Sequence, residues 1–179
     1  VAFQVASIIT TTGFATVDFN SWPTIPKTIL VLLMFIGACA GSTGGGIKVS
    51  RIVLLFRSLT KELSQSLHPN QVRKIHFEGR AVEHVVLRSV NVFIAAYILI
   101  FAISVLLIGI DNYDLVTNFT AVAATLNNIG PGLSKVGPTC NFGIFSPINK
   151  YILMFDMLAG RLELFPMLLL FAPRTRMRE

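Results

Sequence analysis

The chain has 179 residues, of which 53% are hydrophobic and only 13% charged, with a formal net charge of +6. Soluble domains carry about 25% charged residues, so this shortfall, with a mean hydropathy of +0.69, excludes an ordinary water-solvated globule. The basic excess does not read as a nucleic-acid surface either, because no basic face carries interleaved aromatic residues.

The charge is sorted along the chain instead. Eight of the fifteen Lys and Arg residues lie from Lys48 to Arg88, against the three acids Glu62, Glu78 and Glu83, and Arg174, Arg176 and Arg178 form a second basic group at the C-terminus. The positive-inside rule places both groups in the cytoplasm, with two membrane crossings between them. The first residue is Val1, and Val1–Asp18 reads as the middle of a larger arrangement, so a preceding N-terminal part is expected.

In chain order, Val1 to Thr11 is a short, mildly apolar segment seeded with Gln4, Ser7, Thr10 and Thr11, and Gly13 breaks any helix there. Trp22 suits the membrane interface, and Pro26 the first turn of a helix. No charge falls between Lys27 and Lys48, a span of about 20 residues and enough for one crossing. That span is interrupted at Gly41-Ser42-Thr43-Gly44-Gly45-Gly46. Four glycines in six residues cannot form a helix interior. Irregular backbone at membrane depth is tolerated only against protein or a water-filled cavity, so this break is expected to face a pore. A phosphate-binding loop is excluded, because Ile47 stands where the lysine would have to be.

Residues 59–82 read as a cytoplasmic connection, with His68-Pro69-Asn70 as a turn. Val85 to Ile110 is the cleanest spanning helix. Leu115 to Asn128 repeats the character of the opening segment and ends at Ile129-Gly130-Pro131-Gly132, which no helix continues through. Lys150 to Phe171 is the last expected spanning helix, with Asp156, Arg161 and Glu163 inside it. Asp156 is expected to face either a cavity or a partner helix. Cys39 and Cys140 are read as isolated residues, not a disulfide, and His68, His76 and His84 as solvated.

The chain thus contains an internal repeat: a half-depth polar segment, a glycine turn, an outer loop and a spanning helix. Lys27-Thr28-Ile29-Leu30 aligns with Lys150-Tyr151-Ile152-Leu153, and a glycine follows ten residues after each lysine, at Gly37 and Gly160. A helix from Asp114 to Asn128 would be about 20 Å long, reaching half-way into the bilayer before the chain returns. Peptide carbonyls near the glycine turn would be costly in lipid but are satisfied by a dehydrated cation. Glycine allows the torsions that aim successive carbonyls at one axis, and the helix C-terminus adds negative potential there.

On these residues the chain resembles the TrkH/TrkG potassium-uptake family over essentially its whole length. Thr11-Thr12-Gly13-Phe14-Ala15 is similar to the third filter of that family, and Asn128-Ile129-Gly130-Pro131-Gly132, preceded by Asn127, to the fourth. The glycine run Gly41 to Gly46 resembles the intramembrane gating loop, and Gly160-Arg161-Leu162-Glu163 the motif that places an arginine in the ion path. The resemblance implies an all-α polytopic membrane protein of repeated M1–P–M2 units (helix, re-entrant pore loop, helix). Residues 1–58 would be the pore helix, filter and broken M2 of the third unit, 59–82 a cytoplasmic connection, and 83–179 the complete fourth unit. It further implies potassium transport with no bound cofactor, potassium being the substrate held at the filter carbonyls, and a homodimer in the bacterial inner membrane. A TrkA-like cytoplasmic nucleotide-binding subunit would dock on the cytoplasmic face. A sodium-permeable or sodium-coupled transporter of the same fold stands as the alternative. A membrane-embedded enzyme finds no nucleophile–base pair or metal-ligand set to support it.

Overall fold

The computed structural model describes residues 1–37, 39, 42, 44–68, 75–77 and 80–161. Six α-helices carry the architecture: α1 (Ala2–Ile9), α2 (Thr24–Phe35), α3 (Val49–Leu67), α4 (His84–Ile108), α5 (Leu115–Leu126) and α6 (Pro147–Arg161). The last helix begins three residues before Lys150 and is described as far as Arg161; Glu163, Phe171 and the C-terminal arginines lie outside the described residues.

With its closing 3₁₀ turn, α4 forms an apolar rod over His84–Asp111, 28 residues that include an 18-residue window with a mean hydropathy of 2.8. It alone among the described helices is long and apolar enough to cross a bilayer by itself. Helix α2 has 12 residues, about 18 Å, and α5 the same number; both are too short to cross.

The interruption between α2 and α3 is wider than the glycine run predicted from sequence. Helix α2 ends at Phe35 and α3 begins at Val49, with extended backbone at Ile36–Gly37 and at Ile47–Lys48. Strand β1 (Ile36–Gly37) pairs in parallel with β2 (Ile47–Lys48), Ile36 opposite Ile47 and Gly37 opposite Lys48. The pairing satisfies backbone groups that the broken helix leaves free. It also needs Gly37, where a Cβ would stand 2.4 Å from the Gly45 carbonyl oxygen. Helix α3 then runs on to Leu67, beyond the expected boundary near residue 58, and a small antiparallel pair, β3 (His76–Phe77) with β4 (Arg80–Ala81), leads into α4.

Helix α5 is the centre of the packing. It lies against α6, α4 and α2, and its Ala121, Val122, Ala123 and Ala124 are fully buried. Small side chains let neighbouring backbones come close where lipid supplies no hydrophobic drive. The closest approach is at Gly160 of α6, where a Cβ would lie 1.7 Å from the Leu126 carbonyl oxygen. A second core joins the two repeats: Ile8 of α1, Leu30 and Met34 of α2, and Ala123, Ile129 and Leu133 of the second pore loop pack together with Phe19. Phe35, Phe101 and Phe119 form an aromatic triangle between α2, α4 and α5, with centroids 5.0 to 6.0 Å apart.

Candidate ion-coordinating site

The two pore loops end by the same hydrogen-bond pattern. After α1, the Thr12 N–H donates to the Ser7 carbonyl (2.9 Å) and the Thr11 N–H to that of Ile8 (3.1 Å). After α5, the Ile129 N–H donates to the Ala124 carbonyl (2.9 Å) and the Asn128 N–H to that of Thr125 (3.0 Å). Both are Schellman closures, which require a left-handed residue just past the cap. Thr11 (φ +55°) and Asn128 (φ +54°) supply it, and two residues on, Gly13 (φ +81°) and Gly130 (φ +107°) are again left-handed. The repeat, faint in sequence, is explicit in the backbone.

These two turns meet. A Cβ on Gly13 would stand 2.1 Å from the Ile129 carbonyl oxygen, and a Cβ on Gly130 would stand 3.7 Å from Gly13 Cα. The strands are therefore in backbone contact, with the Ile129 carbonyl aimed at Gly13. A cavity of about 560 Å³ opens on Thr11, Thr12, Asn128, Ile129 and Gly130, with Lys150 and Met154 of α6 on its wall.

The remaining filter candidates divide. The Phe14 carbonyl accepts a 2.6 Å hydrogen bond from Ser7 Oγ, which ties it back to α1, while the Phe14 ring and Ala15 are exposed. Pro131 packs within 3.4 Å of where a Gly13 Cβ would be. Gly132 is buried and turned toward α5, where a Cβ would meet Val136 Cγ2 at 2.7 Å and the Thr120 oxygens at 3.0 and 3.1 Å. Its N–H donates to the Val136 carbonyl (2.7 Å). Gly132 thus anchors the strand.

The loops that follow the two glycine turns are interlocked as well. Asn20 Nδ2 donates to the Ser134 carbonyl (2.8 Å) and Asn20 Oδ1 accepts from the Ser134 N–H (2.8 Å). One carboxamide thereby spans the two repeats and holds Ser134 at φ +57°. At the outer end of α5, Asp114 caps the helix by accepting from the Thr117 hydroxyl and from its N–H (3.2 Å). The Thr117 hydroxyl bond, above all, holds its carboxyl below the usual carboxylate range.

The gating candidates lie at the other end of α5. A cleft of about 70 Å³ is lined by Ser42, Gly44, Gly46, Lys48, Arg51 and Arg161, so the exposed Arg161 and the glycine loop share one space. The loop is pressed against the pore helix: a Cβ on Gly45 would be 2.4 Å from the Asn127 carbonyl oxygen, and one on Gly46 2.8 Å from Asn127 Oδ1. Gly41 and Thr43, also predicted for the loop, lie outside the described residues, as does Glu163. Asp156 is fully buried and accepts from Ser104 Oγ of α4 (2.7 Å), so it faces a partner helix. His68, His76 and His84 are exposed, both cysteines are free, and no group of metal-ligating residues exists among the described residues.

Sequence reasoning missed the two long-range amides, Asn20 with Ser134 and Asn127 with Tyr97, the latter bonded through Tyr97 Oη to Asn127 Oδ1 at 2.8 Å. No local pattern pairs residues so far apart in the chain. The one available signal was Asn127 itself, a carboxamide at the mouth of the glycine turn.

Comparison with known proteins places this fold in a family. The sequence model of the TrkH family, described as a cation transport protein, matches residues 1–178. The Trk system potassium uptake protein TrkH of Salmonella typhimurium is 46% identical over 171 residues, which is 96% of this chain and 35% of that protein. TrkG of Escherichia coli is 37% identical over 170 residues, 95% of this chain and 35% of the relative. A crystal structure of the potassium transporter TrkH from Vibrio parahaemolyticus superposes with a TM-score of 0.86 at 44% identity, covering 96% of this chain and 36% of that one. The chain therefore spans about a third of the length of the relatives it matches. Its fold is the repeated M1–P–M2 plan of a helical membrane transporter.

Proposed function

Because the chain belongs to the TrkH family of cation transport proteins, we propose that it supplies two of four filter strands, 11–15 and 128–132, to a potassium-uptake pore. The observation that carries this reading is the meeting of Gly13 and Gly130, each two residues beyond a left-handed helix closure, in backbone contact beside a cavity. Two half-depth helices aim their negative C-terminal ends at that meeting point. Unpaired carbonyls there replace water around a dehydrated cation. The family is one of transporters and not of enzymes, and the relatives named above are potassium uptake proteins.

The glycine loop and Arg161 form the gate in this reading. Arg161 lines the same cleft as Gly44 and Gly46, and a cation in the path of another cation raises an electrostatic barrier. Loop position sets how much of that barrier the ion meets. Arg57 is exposed on α3 and donates to the His76 carbonyl. In this reading the basic sequence from Lys48 to Arg80 joins the contact with a TrkA-like nucleotide-binding subunit on the cytoplasmic face, in a homodimer in the bacterial inner membrane.

The test is potassium flux through the complete transporter reconstituted in vesicles. Substituting Gly130→Ala should reduce potassium selectivity over sodium at least tenfold with folded protein still recovered. Unchanged selectivity would remove the 128–132 strand from the filter. Flux that sodium competes for on equal terms would favour the sodium-permeable alternative.

A further inference from the structure

We propose that Asn127 is a positioning residue that seats the glycine loop on the base of the 128–132 strand, with Tyr97 as its partner. The inference rests on the pore reading above and adds to it a physical link between gate and filter.

Asn127 is the C-cap of α5 and is fully buried. Its side chain is used on both sides: Nδ2 donates to the Ala123 carbonyl (2.8 Å), and Oδ1 accepts from Tyr97 Oη (2.8 Å). These two bonds fix the amide plane. The fixed plane is what the loop rests on, since Gly46 lies against Oδ1 and Gly45 against the Asn127 backbone carbonyl, both closer than any side chain would allow. The next residue, Asn128, is the left-handed residue that turns the chain into the strand, and its Nδ2 donates to the Met157 carbonyl of α6 (3.0 Å). Loop, pore helix and strand therefore meet within two consecutive residues.

Tyr97 stands on the far side of the same junction. It is buried on α4, stacked near Phe93 with centroids 6.4 Å apart, and it borders the cleft that Arg161 and the loop share. When the loop is seated, Asn127 Oδ1 is shielded from water by Gly46, and the Tyr97 bond is made in a dry environment where it counts most. When the loop withdraws, water reaches Oδ1 and competes for it. The hydroxyl of Tyr97 thus favours the seated loop over the withdrawn one, which is the differential interaction a two-state gate requires. Glycine at 45 and 46 is demanded here by close approach to Asn127, so the loop's composition and the buried amide form one device.

The experiment uses the complete transporter with Ala159→Cys as its single cysteine, at a position that is buried beside the cleft the seated loop occupies. Two quantities are read: the rate of thiol modification at position 159 and the potassium flux without regulatory nucleotide. Tyr97→Phe keeps the ring and removes only the hydroxyl. It should raise both quantities about fivefold, the weight of one ordinary buried hydrogen bond between two states. Asn127→Leu should do the same, and the double variant should add little to either single one. Should Asn127→Leu fail to fold, Tyr97→Phe alone decides. Unchanged rates per folded molecule in Tyr97→Phe, or a drop in protein yield with no change in either rate, would overturn the proposal. Modification at position 159 needs no ion flux, so it reports on the latch even if Gly130→Ala shows that the filter assignment is wrong.

Discussion

Helices α1 and α5 close with the same pair of hydrogen bonds and the same left-handed step, yet nine of the twelve residues of α5 are buried against three of eight in α1. The closure is a local property, dictated by the chain's need to reverse at a helix end. Enclosure depends on neighbours: α5 is surrounded by α6, α4 and α2, while α1 packs chiefly on α2. The same turn is consequently held in two ways. Asn128 tolerates its left-handed torsion and is tied to α6 through its carboxamide. Thr11, β-branched at φ +55°, carries strain that no such side-chain bond offsets; its neighbours Thr10 and Thr12 bond only to each other and to α1.

The largest effect should come where enclosure is tightest. Gly160→Ala drives a methyl group into the Leu126 carbonyl oxygen, 1.7 Å away across two helices, and should cost about 3 kcal/mol, read as loss of monodisperse protein on heating in detergent. Its repeat partner Gly37→Ala meets a loop carbonyl at 2.4 Å, and a loop can shift, so a smaller loss there sharpens the contrast. Equal losses would break it.

Next come the two filter glycines. Both have left-handed torsions, so alanine costs about 1–2 kcal/mol at either. Gly13→Ala also collides with the Ile129 carbonyl at 2.1 Å, while Gly130→Ala has 3.7 Å to its nearest neighbour. Thermal stability should therefore fall further in Gly13→Ala, although both should impair potassium selectivity.

A smaller, opposite pair of effects tests the strain at the closures. Thr11→Asn should stabilise by about 1 kcal/mol and Asn128→Thr destabilise by a similar amount or more, since it also loses the bond to Met157. Denaturation midpoints of the two variants would show it; shifts of the same sign would contradict it.

The smallest effect is at the outer end of α5. The carboxyl of Asp114 is held below its ordinary range, chiefly by the Thr117 hydroxyl. Its charged form therefore favours the folded state, and that contribution is present above the unfolded value of about 4 and is lost as pH falls through the lower folded value. Asp114→Asn should flatten that part of the acid stability profile and leave neutral-pH stability within about 1 kcal/mol.

Much of this was legible in the sequence. The two glycine turns, the apolar rod from 85 to 110 and the break between α2 and α3 were all marked by hydropathy and by Gly13, Gly130 and the run to Gly46. The repeat was marked by Lys27 with Gly37 and Lys150 with Gly160. The width of the break was not legible, because the pairing of Ile36 with Ile47 depends on two segments meeting across a loop, and neither has a strand-like pattern of its own. Asp156 was ambiguous for a similar reason: an acid in an apolar helix signals a polar partner, but only packing identifies it as Ser104. The engagement of the Phe14 carbonyl and the inward turn of Gly132 were hidden because the distinction between an ion-facing and an anchoring residue lies in the backbone path, not in residue type.

Crystals of the complete transporter grown or soaked with rubidium or thallium would locate the ion by its anomalous scattering. The pore reading predicts a peak in the cavity beside the meeting point of the two left-handed turns, within coordinating distance of carbonyl oxygens from the 11–13 and 128–130 segments. An ordered ion elsewhere, with no peak where Gly13 meets Gly130, would contradict it.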